Sequence, residues 1–106
     1  MVKQIFLVKR KPGTSFDEYK KYYLGHHVPL VKKTMPGICK YVINFALQRG
    51  KETPWDSIGE LFWDDIESIV KFFKSDDYKN IIAPDEEKFI DREASQVILT
   101  EETIQK

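Results

Sequence analysis

Two adjacent imidazoles, His26 and His27, stand just ahead of Pro29 and follow the tyrosines at 19, 22 and 23. An imidazole with an ordinary pKa near ~6.5 moves protons readily around neutrality, so this pair is the chain's best prospect for acid-base chemistry. A hydrogen-bonded structural role at a helix joint is the alternative for either ring. Other chemistries find less support. Neighbouring histidines lack the i, i+4 spacing of a helical zinc pair and no Cys/His cluster completes a site, so no metal is expected. The five glycines form neither a phosphate-cradling loop nor a nucleotide fingerprint. No serine is placed for a nucleophilic triad, and no cofactor is called for.

The element that must position the imidazoles begins at Ser15. Its hydroxyl can accept from the backbone N–H of Glu18 while the Glu18 carboxylate reaches back, a capping box. From there Phe16, Tyr19 and Tyr23 share one face, which continues through His26 or His27 to Leu30. Pro29 has no N–H to offer the carbonyl of Gly25, and it disfavours the α conformation at Val28. A break or kink is therefore expected between Gly25 and Val28, with a short turn restarting at Pro29 and ending before Pro36-Gly37. The two imidazoles fall at this irregular joint.

The rest of the chain reads as scaffold. Residues 2 to 10 form a strand, Lys11-Pro12-Gly13 turns the chain, and Ile38 to Arg49 alternates as a second strand with Cys39, Tyr41, Ile43, Phe45 and Leu47 on its apolar face. Asp56 to Trp63 is a third strand. Asp64 is expected to cap a second helix, with Glu67 as its reciprocal partner and Ile66, Ile69, Val70 and Phe73 as its buried stripe. Ser75 can cap a further short turn, which Pro84 should stop, and Ala94 to Thr100 closes as a strand. The order β-α-β-β-α-β over a single domain, residues 1–106, is the split β-α-β arrangement: α+β, ferredoxin-like, with a four-stranded antiparallel sheet and both helices on one face. The second and third strands carry apolar residues on both sides. The sheet face away from the helices should therefore need a partner, which predicts a homodimer joined through that face.

Composition narrows the partners. With 42% hydrophobic and 32% charged residues the chain is globular, and 17 basic against 17 acidic residues leave no surplus to attract a polyanion. No nucleic acid is expected, and Lys9-Arg10-Lys11 reads as a solvated strand end. The lone Cys39 reads as a small buried hydrophobe. No leader-like segment and no apolar run near the ~20 residues of a membrane span is visible. A cytoplasmic location without membrane attachment is the expectation.

The succession Phe16-x-x-Tyr19-x-x-x-Tyr23, then His27-Val28-Pro29-Leu30-Val31, then Pro36-Gly37-Ile38 and Tyr41, resembles the EthD-like family. Glu60-Leu61-x-Trp63, Asp85-Glu86 and Phe89-Ile90-Asp91 are similar to that family's later blocks. The resemblance covers nearly the whole chain, and its most specific step is His27-x-Pro29-Leu30. It implies a dimeric α+β barrel. It also implies kinship with proteins of ether degradation that accompany an oxidative enzyme system, and with fungal dehydratases and decarboxylases of polyketide aromatics. Barrels of this architecture also include cyclases, monooxygenases and haem enzymes, which leaves a haem ligated by His27 open.

Carried onto this chain, the family's histidine is His27, and His26 is expected to face solvent. In an apolar pocket His27 can take a proton from a phenol, an enolisable ketone or an activated C–H and return it elsewhere. Tyr23, which stands where that family often has tryptophan, and Tyr41 can donate to a substrate oxygen. Asp91 is a candidate to orient the imidazole or else a helix cap. Trp63, Phe16 and Phe89 are candidates for the substrate wall or for plain core. The expected ligand is a small, hydrophobic, oxygenated molecule held between sheet and helices. The alternatives are a binding or accessory protein of an oxidoreductase system without turnover, and a structural dimerisation module.

Overall fold

The computed structural model describes residues 2–106. Strand β1 (Val2–Val8) leads to helix α1 (Phe16–Tyr22), a π-helical turn (Tyr23–His27) and α2 (Val28–Thr34). Strands β2 (Ile38–Phe45) and β3 (Ser57–Trp63) follow, then α3 (Ile66–Phe73), a second π turn (Tyr78–Ile82), α4 (Ala83–Phe89) and β4 (Gln96–Thr100). The sheet order is β2-β3-β1-β4 and every pairing is antiparallel. This is the ferredoxin-like α+β arrangement.

The sheet register separates two faces. Val2, Gln4, Phe6 and Val8 lie opposite Trp63, Leu61, Gly59 and Ser57, and these side chains meet the helices. One core cluster joins Val31, Met35, Leu61, Trp63, Ile69 and Ile82; the other joins Val8, Tyr19, Tyr23 and Phe89. The outer face carries Ile5, Leu7, Val42, Ile58, Phe62 and Ile98 around a polar centre, where Lys3 Nζ lies 2.8 Å from Glu60 Oε1 and Asn44 Nδ2 donates to Glu60 Oε2 at 2.9 Å. Lys3 also pairs with Glu102.

Local chemistry explains the element boundaries. Gly13 holds φ +85 in the turn before α1, a conformation that side-chain-bearing residues rarely adopt. The capping box forms: Glu18 N donates to Ser15 Oγ at 3.1 Å, and Ser15 N to Glu18 Oε1 at 3.4 Å. At Pro29 the chain does not break. Val28 keeps helical angles (φ -58, ψ -47), and its N–H bonds to the carbonyl of Tyr23, five residues back. The widened turn relieves the carbonyl that Pro29 would otherwise obstruct. Pro84 likewise opens α4 rather than stopping a turn, because the N–H of Ala83 bonds back to Tyr78 in the second π turn. Ser75 does cap the preceding turn, accepting from Tyr78 N at 3.2 Å.

Other expectations need correction. The cap of α3 is Asp65, not Asp64: its carboxylate accepts from both the N–H and the hydroxyl of Ser68, each at 2.8 Å. Ile69 points inward, with Phe72 and Phe73 packed beside it, while Ile66 and Val70 are exposed. Cys39 is exposed rather than buried, because an irregularity between Ile38 and Lys40 shifts the register of β2; its thiol faces Asp64 Oδ1 at 3.4 Å. Strand β2 ends at Phe45, leaving Leu47 exposed. The inward stripe after His27 runs through Val31 and Met35 instead of Leu30. Among the described residues no helix is long and apolar enough to cross a membrane.

Candidate active site

Helix α1 presents its aromatic stripe to β3. Tyr19 is fully buried with its hydroxyl 2.5 Å from Ser57 Oγ, and Tyr23 packs edge-on to it with ring centroids 5.6 Å apart. The π turn then brings His27 under the same cover. Its ring lies 4.8 Å from that of Phe89 and 5.6 Å from that of Tyr23, and only 5% of the residue is exposed.

The partner of this imidazole comes from the far side of the chain. His27 Nδ1 lies 2.8 Å from Asp85 Oδ2. Asp85, on the first turn of α4, is buried; its Oδ1 accepts from the Tyr22 hydroxyl at 2.5 Å and lies 3.1 Å from His26 Nδ1. His26 is exposed and stacks on Tyr22. Burial opposes the charge on Asp85, but the hydrogen bonds from Tyr22 and His27 outweigh it and hold the carboxyl below its ordinary value. For His27 the balance falls the other way: burial lowers its pKa, and the hydrogen bond and charge of Asp85 offset only part of that. A neutral ring beside a carboxylate donates from Nδ1, which leaves the lone pair on Nε2. No buried side-chain nitrogen or oxygen among the described residues lacks a partner, and His27 has no protein partner on Nε2, so that nitrogen opens onto the cavity the ring lines.

That cavity has a volume of about 40 Å³ and lies between the sheet and the helices, with Phe6, Tyr23, Tyr41, Leu61 and Glu86 among its walls. Burial raises the pKa of Tyr23, helped by the neighbouring Tyr41, and pushes Tyr41 up to about 12. Both phenols are therefore protonated donors at neutral pH. Glu86 is pushed up to about 7, by burial first, against the opposing Arg92 charge and the Tyr78 hydroxyl. A wider recess of about 340 Å³ adjoins the cavity, shares Phe6, Val8, Phe73, Glu86 and Ile90 with it, and continues past Tyr78, Arg92 and Gln96.

The structure thus brings His27, Tyr23 and Tyr41 together around one space. It does not bring Asp91 there: Asp91 Oδ1 accepts from Ala94 N at 3.2 Å, the capping role, and Asp85 occupies the position expected of it. Trp63 belongs to the other core cluster, where its Nε1 donates to Gln4 Oε1 at 3.1 Å. Phe16 packs on Tyr19 and Phe45, outside the cavity. Phe89 supports the rings of Tyr23 and His27 from behind. Asp85 and Glu86 were missed as site residues because Pro84 reads as a stop. The signal that marks them is the same proline read as a helix start, with acids in the first turn. No group of three His, Cys, Asp or Glu side chains among the described residues is placed to hold a metal ion.

A ferredoxin-like sheet with its helices on one face, and a buried His–Asp pair beside a cavity between them, define a small α+β protein. Residues 11–93 match the profile described as the EthD domain, and the chain belongs to that family. A dehydratase of Ustilaginoidea virens, ustZ, is 26% identical over 105 aligned residues, covering 85% of this chain and 75% of that protein. The crystal structure of an ethyl tert-butyl ether degradation (EthD) family protein from Bacillus halodurans superposes with a TM-score of 0.77 at 25% identity, covering 97% of this chain and 99% of that one. A protein of unknown function from Bacteroides fragilis, described as dimeric with a ferredoxin-like fold, superposes with a TM-score of 0.68 at 12% identity over 94% of each chain.

Proposed function

We propose that this protein is an acid-base catalyst of the dehydratase type, acting on a hydrophobic, oxygenated molecule between sheet and helices. The observation that carries the reading is the His27–Asp85 pair, with Nδ1 held at 2.8 Å and the ring lining a cavity flanked by two protonated phenols. Asp85 fixes the tautomer. Nε2 takes a proton from the carbon beside a carbonyl, and Tyr23 and Tyr41 donate to the carbonyl oxygen as negative charge gathers there. Loss of a β-hydroxyl as water completes a dehydration, the activity named for the Ustilaginoidea virens relative.

The protein works, on this reading, as a homodimer joined through the outer sheet face. The apolar side chains Ile5, Leu7, Val42, Ile58, Phe62 and Ile98 on that face support it, as does the neighbour described as dimeric. The test of the chemistry is turnover of β-hydroxy ketones bearing an apolar ring, read by mass spectrometry as loss of one water. His27→Gln should abolish it while leaving the circular dichroism spectrum intact. Turnover by the variant at the wild-type rate would refute the assignment.

A further inference from the structure

Dehydration of a β-hydroxy carbonyl is faster with a second group: hydroxide is a poor leaving group, and an acid at the departing oxygen spares His27 from carrying the α-proton there. We propose that Glu86 is that second catalytic residue, an acid that protonates the leaving hydroxyl of a substrate reaching it from the recess beside β4. This rests on the dehydratase reading above and adds a residue to it.

The placement is the argument. Asp85 and Glu86 are consecutive on α4, so their side chains diverge by about 100° around the helix. Asp85 turns to the Nδ1 side of His27, while Glu86 lines the cavity onto which Nε2 opens. One helical turn thus supplies both the anchor of the base and a carboxyl on the cavity wall. Glu86 also lines the wider recess, so it stands where the two spaces meet. Its Oε1 accepts from the Tyr78 hydroxyl at 3.2 Å, and Tyr78 in turn accepts from Arg92 Nη2 at 3.5 Å. The groups that face it are Tyr23, Tyr41, Tyr78 and Arg92, with Asp85 and Glu87 on its own helix. Apolar neighbours Phe6, Val8, Phe73 and Ile90 surround the junction and favour the protonated form. A pair of groups whose surroundings push one towards the neutral base and the other towards the neutral acid is the arrangement that acid-base catalysis requires.

The sizes assign the substrate's orientation. A space of about 40 Å³ takes little more than the oxygenated end of a molecule, whereas about 340 Å³ admits an apolar ring. In the step itself, Nε2 of His27 removes the α-proton and the C–H electron pair becomes the new C=C bond. The C–O bond to the β-hydroxyl breaks with its pair, and the oxygen takes the Glu86 proton and departs as water. Nothing is oxidised or reduced. Water in the recess returns a proton to Glu86 and accepts the one on His27.

The experiment uses benzylacetone and its β-hydroxy derivative as probes. In heavy water, exchange of the α-proton of benzylacetone reports His27 alone, while conversion of the β-hydroxy compound to benzalacetone needs both groups. His27→Gln should lose both reactions. Glu86→Gln keeps the shape and the Tyr78 contact, and its loss in elimination should exceed its loss in exchange by about 100-fold, as expected of general acid catalysis. Equal losses in the two reactions, or elimination at the wild-type rate, overturn the role of Glu86 and leave that of His27 standing. Wild-type protein that exchanges no α-proton and eliminates nothing overturns the dehydratase reading and the role of Glu86 with it.

Discussion

Replacing Glu86 with glutamine should change how stability depends on pH, and by an amount the structure sets. The carboxyl is raised from 4.5 to about 7 in the folded protein, chiefly by burial. A shift of that size corresponds to at most about 3 kcal/mol, and partial access to water trims it to about 2 kcal/mol. The sign follows from proton counting. Between pH 4.5 and about 7 the unfolded chain has released a proton that folded Glu86 still holds. Its contribution is therefore fully present below about 4.5, falls as pH rises, and is gone above about 7. The glutamine variant has no such loss. His27, whose pKa is lowered on folding, contributes in the opposite direction, stabilising above its unfolded value and less as pH falls, but it is present in both proteins and cancels from the difference. Urea titrations followed by tryptophan fluorescence at pH 5 and pH 8 measure that difference. Glu86→Gln should gain about 2 kcal/mol on the wild type between the two conditions. A difference that stays constant would show a solvated carboxylate, and the reasoning that makes Glu86 a stored acid would fail.

Three further outcomes are expected. Asp85→Asn should lower the NMR titration midpoint of His27, because the hydrogen bond and charge that raise it are lost, and should cut turnover about 100-fold; an unmoved midpoint would contradict the pairing. Tyr19→Phe leaves the buried Ser57 hydroxyl without its partner at 2.5 Å and should cost about 1–3 kcal/mol in thermal or urea unfolding. Its kcat should stay near that of the wild type, since Tyr19 lies behind the cavity wall, and a selective loss of turnover would show otherwise. Ile58→Glu places a carboxylate on the outer sheet face, so sedimentation should show dimer for the wild type and monomer for the variant; an equally tight dimer of the variant would place the interface elsewhere.

The parts legible in the sequence are those fixed by neighbours along the chain. The Ser15–Glu18 capping box and the stripe Phe16, Tyr19, Tyr23 depend only on residues a turn apart, and they form. The succession of strands and helices along the chain follows from alternation and turn residues, and it also holds. What could not be read depends on contacts distant in sequence or on one-residue shifts. Asp85 meets His27 across 58 residues, so nothing near either one announces the pair. Asp91, at a helix end, can orient an imidazole or serve as a cap, and the cap is what forms. An irregularity in β2 exposes Cys39, and the α3 cap falls on the second of two consecutive aspartates.

The two prolines carry the deeper lesson, since a local reading of each predicts a break and neither makes one. Tyr19, Tyr23, His27, Val31 and Met35 are all buried, a spacing of four sustained over four steps. In a regular α-helix of 3.6 residues per turn that spacing drifts by about 40° a step, or about 160° in all, and would carry the last side chains away from the core. A π turn inserts one extra residue and takes back about 100° of the drift. The turn at Tyr23–His27 therefore does two things at once: it makes room for Pro29 and keeps the imidazole on the inward face. The turn at Tyr78–Ile82 precedes Pro84 in the same way and delivers Asp85 and Glu86 on the following helix. Both walls of the cavity are thus built by the same device. Hydrogen-bond geometry inferior to that of an α-helix is retained at the two places where acid-base groups converge.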